Sequence, residues 1–170
     1  MAEERKVALV TGASRGIGQA IAKQLARDES LIVIGTATTE DGASSISHYF
    51  AKWGLEGDGI KMDVTDLQSV SAGVKQVTQA YGPPLILVNN AGIPDAQRAT
   101  KMSDQLIDDV FDTNLVGPYI LSCEIARRLM AAKLPGRMVN ISSVAAFDTR
   151  PGSAAALYSI TKAGIVRMTE

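Results

Sequence analysis

One cysteine, Cys123, and one histidine, His48, are all that this chain holds of the two side chains that most often ligate transition metals. An internal disulfide is thereby excluded, and no zinc-site spacing can be written. A Ser-His-Asp hydrolase is equally ill served, because His48 falls in a stretch that reads as an outer helix. Charge of one sign is not in excess either: 17 Lys and Arg face 18 Asp and Glu, for a net charge of −1 and a sequence pI near 5.9. No basic stripe points to nucleic acid or to an anionic membrane. No apolar run approaches the roughly 20 residues that a membrane span requires. Residues 1–6 are polar and lead straight into a strand-like run, so no signal peptide is expected. Cys123 lies among Leu121, Ile125 and Ala126, which predicts a buried thiol on a helix, and a reducing cytoplasm is the natural compartment.

What the chain does have is an alternation of apolar runs and helical stretches. Its 170 residues, 46% of them hydrophobic, suffice for one globular domain over 1–170. Strands are predicted at Val7–Val10, Leu31–Ile34, Gly59–Met62, Leu85–Val88 and Met138–Ile141. Helices are predicted near 16–27, 41–53 and 66–81, with Asp66 capping the third. A long helix near 104–132, bent around Gly117 and Pro118, and a last helix starting near Ala155 complete the pattern. Strands that are apolar throughout are buried on both faces, and their alternation with helices requires right-handed parallel crossovers. The fold class expected is α/β, a Rossmann-type doubly wound parallel sheet in three layers.

The first strand runs into Thr11-Gly12-Ala13-Ser14-Arg15-Gly16-Ile17-Gly18. Glycines where a strand turns into a helix let a phosphate approach the backbone, and the helix N-terminus offers it free N–H groups. A nucleotide site is therefore expected. The second strand ends in Gly35-Thr36-Ala37-Thr38, with no carboxylate until Glu40. An NAD ribose calls for an acid there; its absence, with Arg15 within reach of a 2′-phosphate, favours NADP(H). Asp63, in Met62-Asp63-Val64, stands where it could accept from an adenine amino group or cap the following turn. Asn89-Asn90-Ala91-Gly92 ends the fourth strand, and Asn114 is an amide inside a helix, where exposure or a kink with a bound water would explain it. Ser142 and Ser143 close the fifth strand, where a hydroxyl can donate to a carbonyl oxygen. Tyr158 and Lys162 lie four residues apart on the last helix, so they share one face. An ammonium beside a phenol stabilises phenolate and lowers its pKa, which suits proton exchange with an alcohol or carbonyl oxygen.

Taken in order and spacing, these residues resemble the short-chain dehydrogenase/reductase family over essentially the whole chain. The resemblance implies a catalytic set of Asn114, Ser143, Tyr158 and Lys162. Tyr158 would be the proton donor in reduction, Lys162 its partner and a ribose ligand, Ser143 the group that polarises the substrate oxygen, and Asn114 the holder of a relay water. Ser143 is preferred to Ser142 as the last serine before the Val-Ala continuation. The implied cofactor, NADP(H), would meet Gly12, Ser14, Arg15, Gly16, Ile17, Gly18, Thr38, Asp63, Val64, Asn90, Ala91 and Gly92, besides Tyr158 and Lys162.

Residues 1–93 are most similar to bacterial β-ketoacyl-(acyl-carrier-protein) reductases, which implies a 3-oxoacyl thioester substrate in fatty-acid synthesis, acyl carrier protein as a partner, and a homotetramer built on the helices at 104–132 and 155–170. Two segments depart from that pattern: Ile93-Pro94-Asp95-Ala96, and residues 142–158, which are about two residues longer. Family members also continue for roughly 70 to 80 residues beyond the position of Glu170, so a fragment or a truncated product is expected. Another alcohol, sugar or steroid dehydrogenase, or a nucleotide-binding regulatory protein without catalysis, are the alternatives.

Overall fold

The structure is a computed structural model that describes residues 5–95, 97–147 and 155–170. Among these residues five strands form one parallel sheet: β1 (Lys6–Val10), β2 (Leu31–Ala37), β3 (Gly57–Lys61), β4 (Pro84–Asn89) and β5 (Arg137–Asn140). Their spatial order among the described residues is β3-β2-β1-β4-β5. The chain thus moves outward from β1 to β3 and then reverses to β4 and β5. A crevice opens where the order reverses, at the C-terminal ends of β1 and β4.

Among the described residues six α-helices cover the two faces: α1 (Gly16–Leu25), α2 (Glu40–Lys52), α3 (Leu67–Tyr81), α4 (Asp104–Phe111), α5 (Gly117–Ala132) and α6 (Ala156–Thr169). The period of two along β1 divides its side chains between two cores. Val7 and Leu9 pack with Val70, Val74 and Val77 of α3 and Leu121, Ile125 and Leu129 of α5. Ala8 and Val10 pack with Ala22 of α1 and Ile46, Tyr49 and Phe50 of α2. Both faces are therefore apolar along β1, which is why the strand reads as a continuous hydrophobic run. Asp66 caps α3 as predicted, its Oδ1 accepting from the Gln68 amide at 2.8 Å.

Three expectations are corrected. The segment 104–132 is not one α-helix bent at Gly117-Pro118; a π-helical turn at Asp112–Val116 joins α4 to α5 with the backbone helical on both sides, and Pro118 is the second residue of α5. β5 is not buried on both faces: among the described residues it pairs only with β4, and Val139 is 48% exposed. Cys123 is half-buried rather than buried, because it sits beside the inward stripe of Leu121 and Ile125 rather than in it. His48 is on α2 and exposed, as expected. Residues 1–4, Ala96 and residues 148–154, within the segment of unusual length, lie outside the described residues.

Candidate active site

The crevice is a cleft of about 1030 Å³ bounded by the C-terminal ends of all five described strands and the loops that follow them. Its floor is the turn between β1 and α1. Gly12 and Gly16 adopt φ of +64° and +59°, which L side chains rarely tolerate. A Cβ on Gly18 would stand 2.3 Å from the Gly12 carbonyl oxygen, so only glycine lets α1 start this close to the loop. The N-cap residue Arg15 makes no side-chain cap, and the first turn of α1 carries no acid. By contrast α2, α3 and α4 are each capped by their own side chain, from Thr39, Asp66 and Ser103. The uncapped N–H groups of α1 open on the cleft and fit an anion such as a pyrophosphate.

The loop after β4 is sewn to this turn. The Thr11 hydroxyl oxygen accepts from the amides of Asn90 and Ala91, both at 2.9 Å. The Asn90 side-chain amide donates to the carbonyl oxygens of Thr11 and Gly12, at 2.9 and 3.2 Å. Tyr49 of α2 donates to the Ala13 carbonyl at 3.2 Å. Thr11 and Tyr49 carry no role in the sequence pattern; the position of Thr11 at the strand end, against an Asn-Asn pair, was the available signal for the first, and Tyr49 gave none.

At the end of β2, Thr38 and the exposed Arg15 line the cleft, while Glu40 turns away to pair with Lys61 at 3.8 Å. That rim presents a hydroxyl and a guanidinium. Asp63 and Val64 line the same cavity. One carboxylate oxygen of Asp63 accepts from the amide and hydroxyl of Thr65, at 2.9 and 2.8 Å, so the turn-capping alternative is realised there.

Opposite the glycine turn stand Ser142, Ser143, Tyr158 and Lys162. Lys162 is 4% exposed, and burial lowers its pKa below the usual lysine range. Its ammonium donates to the Ile141 carbonyl at 2.8 Å and lies 5.6 Å from the centre of the Tyr158 ring. The Ser142 hydroxyl spends its proton on the Lys162 carbonyl oxygen at 2.8 Å. Ser143 instead accepts from the Ala145 amide at 3.2 Å, which leaves its hydroxyl proton for another acceptor.

Asn114 is elsewhere. It lies in the π turn, 1% exposed, and is not among the residues lining the cleft. Its Oδ1 accepts from the Ile93 amide at 2.8 Å; its Nδ2 donates to the Ile93 carbonyl at 2.9 Å and to the Thr161 hydroxyl at 3.3 Å. It sits directly behind Gly92, where an added Cβ would be 3.2 Å from Oδ1 and 3.7 Å from the Lys162 ammonium. Asp109, Asp112 and Thr113 also line the cleft, though no motif marked them.

A family model described as short chain dehydrogenase matches residues 6–170. The chain belongs to the short-chain dehydrogenase family. Among curated members it is 43% identical over 169 residues to the 3-oxoacyl-(acyl-carrier-protein) reductase of Pseudomonas aeruginosa, covering 99% of this chain and 67% of that protein. The corresponding reductase of Vibrio harveyi is 41% identical over 167 residues, 98% of this chain and 66% of the relative. This short-chain dehydrogenase chain thus spans about two thirds of the length of the curated relatives it matches. Among solved structures, a variant of actinorhodin polyketide ketoreductase with NADPH superposes with a TM-score of 0.91 at 37% identity, covering 99% of this chain and 64% of that one. A metagenomic short-chain oxidoreductase in complex with NADP gives 0.84 at 32% identity, covering 96% and 72%.

Proposed function

We propose that this chain carries the NADP(H)-binding and proton-transfer machinery of a carbonyl reductase, with a 3-oxoacyl thioester of fatty-acid synthesis as substrate. The observation that carries the reading is that Tyr158 and the buried ammonium of Lys162 face the same cleft as the uncapped glycine turn. The names of the similar reductases support the substrate class, and the NADPH and NADP complexes among similar structures support the cofactor.

The residues fit such a cofactor. All of the following line the cleft: Gly12, Ser14, Gly16, Ile17 and Gly18 would hold the pyrophosphate, Arg15 and Thr38 the 2′-phosphate, Asp63 and Val64 the adenine, and Asn90, Ala91 and Gly92 the length of the cofactor between them. When bound, NADPH supplies the hydride for the carbonyl carbon. Tyr158 gives its phenolic proton to the carbonyl oxygen. The Lys162 ammonium stabilises the phenolate left behind and would hold the nicotinamide ribose. Ser143 donates its remaining proton to the same oxygen and orients it. Asn114 holds the loop after β4 against α6, and its π turn is the place for a relay water.

The same reading takes acyl carrier protein as the partner that presents the substrate and the cytoplasm as the compartment. No helix among the described residues is long and apolar enough to cross a membrane. It also takes a homotetramer assembled through α4, α5 and α6. Tyr119 and Met130 on α5, 58% and 77% exposed, supply apolar area for that contact.

The substrate class is tested by following NADPH oxidation with acetoacetyl thioesters of coenzyme A and acyl carrier protein beside simple ketones, sugars and steroids. Preference for the thioesters supports the reading. Turnover confined to sugars or steroids moves the chain to another branch of the family.

A further inference from the structure

Asp95 is a carboxylate with 3% exposure, in the segment Ile93-Pro94-Asp95-Ala96 that departs from the β-ketoacyl-(acyl-carrier-protein) reductase pattern. Its Oδ2 accepts from the backbone amide of Leu157 at 2.9 Å, across 62 residues of sequence. Leu157 is the second residue of α6, and Tyr158 is the third. An N-cap side chain normally accepts from the second or third helical amide, and α2, α3 and α4 follow the rule with residues of their own, α3 at the second and α2 and α4 at the third. The N-cap residue of α6 is Ala155, which has no side-chain acceptor. The cap therefore comes from the loop after β4. Negative charge at a helix N-terminus is also where the helix dipole favours it.

A second tie lies one turn further along. Thr161 receives the Asn114 amide, and Asn114 holds both backbone groups of Ile93 in the same loop. Leu157 and Thr161 are four residues apart and so lie on one face of α6. Tyr158 and Lys162 each follow one residue later, rotated by about 100° around the axis. Two ties on one face, one turn apart, fix the rotation of the helix; the adjacent face is then aimed into the cleft.

We infer that Asp95 is a positioning residue that caps α6 from the β4 loop and sets the aim of Tyr158. The inference rests on the proposed role of Tyr158. Reaction rates respond to displacements of about 1 Å in the reacting groups, at a cost of about a hundredfold. Loss of one of two ties should cost part of that.

The test compares Asp95→Ala and Asp95→Asn with the unaltered protein, with Tyr158→Phe as control, in NADPH-dependent reduction of an acetoacetyl thioester. Asp95→Ala should lower kcat about 10- to 100-fold while the NADPH dissociation constant stays within about twofold. Asp95→Asn keeps an acceptor oxygen and should recover kcat to within about threefold. Hydrogen exchange at the Leu157 amide should accelerate in the alanine variant and not in the asparagine variant.

Unchanged kcat in Asp95→Ala overturns the inference. So does equal loss in both variants, or a kcat loss matched by lost NADPH affinity, which is general damage. Turnover that survives in Tyr158→Phe instead overturns the role of Tyr158. In that case the exchange data still decide whether Asp95 caps α6.

Discussion

The side-chain amide of Asn90 lies so close to Gly18 that a methyl group on that glycine would stand 2.4 Å from the amide nitrogen. Asn90 cannot retreat without giving up its bonds to the Thr11 and Gly12 carbonyls. Gly18→Ala should therefore force the glycine turn away from the β4 loop, costing about 1–3 kcal/mol of stability and weakening NADPH binding. Gly16 is different. Its Cβ would meet open space, but its φ of +59° is strained for any L residue. Gly16→Ala should cost about 1–2 kcal/mol through the backbone alone. Denaturant melts and NADPH fluorescence titrations check both; a Gly18→Ala variant as stable as its parent contradicts the packing.

Arg15 and Thr38 should decide between the two nicotinamide cofactors. Arg15→Ala should weaken NADPH binding about tenfold, the worth of roughly one charge-assisted hydrogen bond at an exposed rim. NADH binding should change much less. Thr38→Asp should shift preference toward NADH by repelling the 2′-phosphate and accepting from a ribose hydroxyl. Dissociation constants for both cofactors measure this, and parallel losses for the two would remove Arg15 from the 2′-phosphate site.

Burial holds the Lys162 pKa below the usual lysine range. Between that lowered value and the unfolded value near 10.4, the unfolded chain binds more protons than the fold. Stability must then rise with pH through this window. Lys162→Met should flatten the rise and abolish turnover. Urea melts at a series of pH values would expose an error in this account if the slope were the same in both proteins.

Asp58 ties the β3 edge to both helical layers. It accepts from Ser47 of α2 and, at 2.7 Å, from Tyr81 of α3. Burial works against ionisation of Asp58, but hydrogen bonds from Ser47, Tyr81 and the Gly59 amide outweigh it and hold the carboxyl below its usual range. The bond to Asp58, with burial and its negative charge, pushes Tyr81 up to about 12. The Asp58 contribution is present above the unfolded carboxyl value near 3.9 and is lost as pH falls through the lower folded value. The Tyr81 contribution is present below about 10 and is lost as pH rises toward 12. Asp58→Asn should remove about 1 kcal/mol at neutral pH, after discounting for partial exposure, and bring the Tyr81 titration down. Absorbance titration of tyrosinate, with melts at both pH extremes, tests it.

The sheet and the cleft were legible because their signals are local. Val7–Val10 is apolar on two faces, and Thr11–Gly18 is a glycine turn in one stretch of chain. The π turn at Asp112–Val116 was not legible, because one extra residue in a helix leaves no mark in hydrophobic spacing. Pro118 drew the bend toward itself, although the irregular turn lies just before it. The half-exposure of Val139 depends on what pairs with β5, which an apolar run does not encode. Asp95 lies at the other extreme: its partner is 62 residues away, and the only hint was a loop unlike that of the β-ketoacyl-(acyl-carrier-protein) reductases. Ser142 and Ser143 were both visible, but only their hydrogen bonds show which hydroxyl proton is already spent.

The central claim is that Tyr158 transfers the proton at a cleft that binds NADPH without its help. Tyr158→Phe removes one hydroxyl from a half-buried ring and nothing from the glycine turn. Turnover of an acetoacetyl thioester and NADPH affinity, measured on the same preparation, test the claim together. The account predicts a loss of turnover of at least about a hundredfold with NADPH affinity within about threefold of the unaltered protein. Turnover that survives the substitution would contradict it.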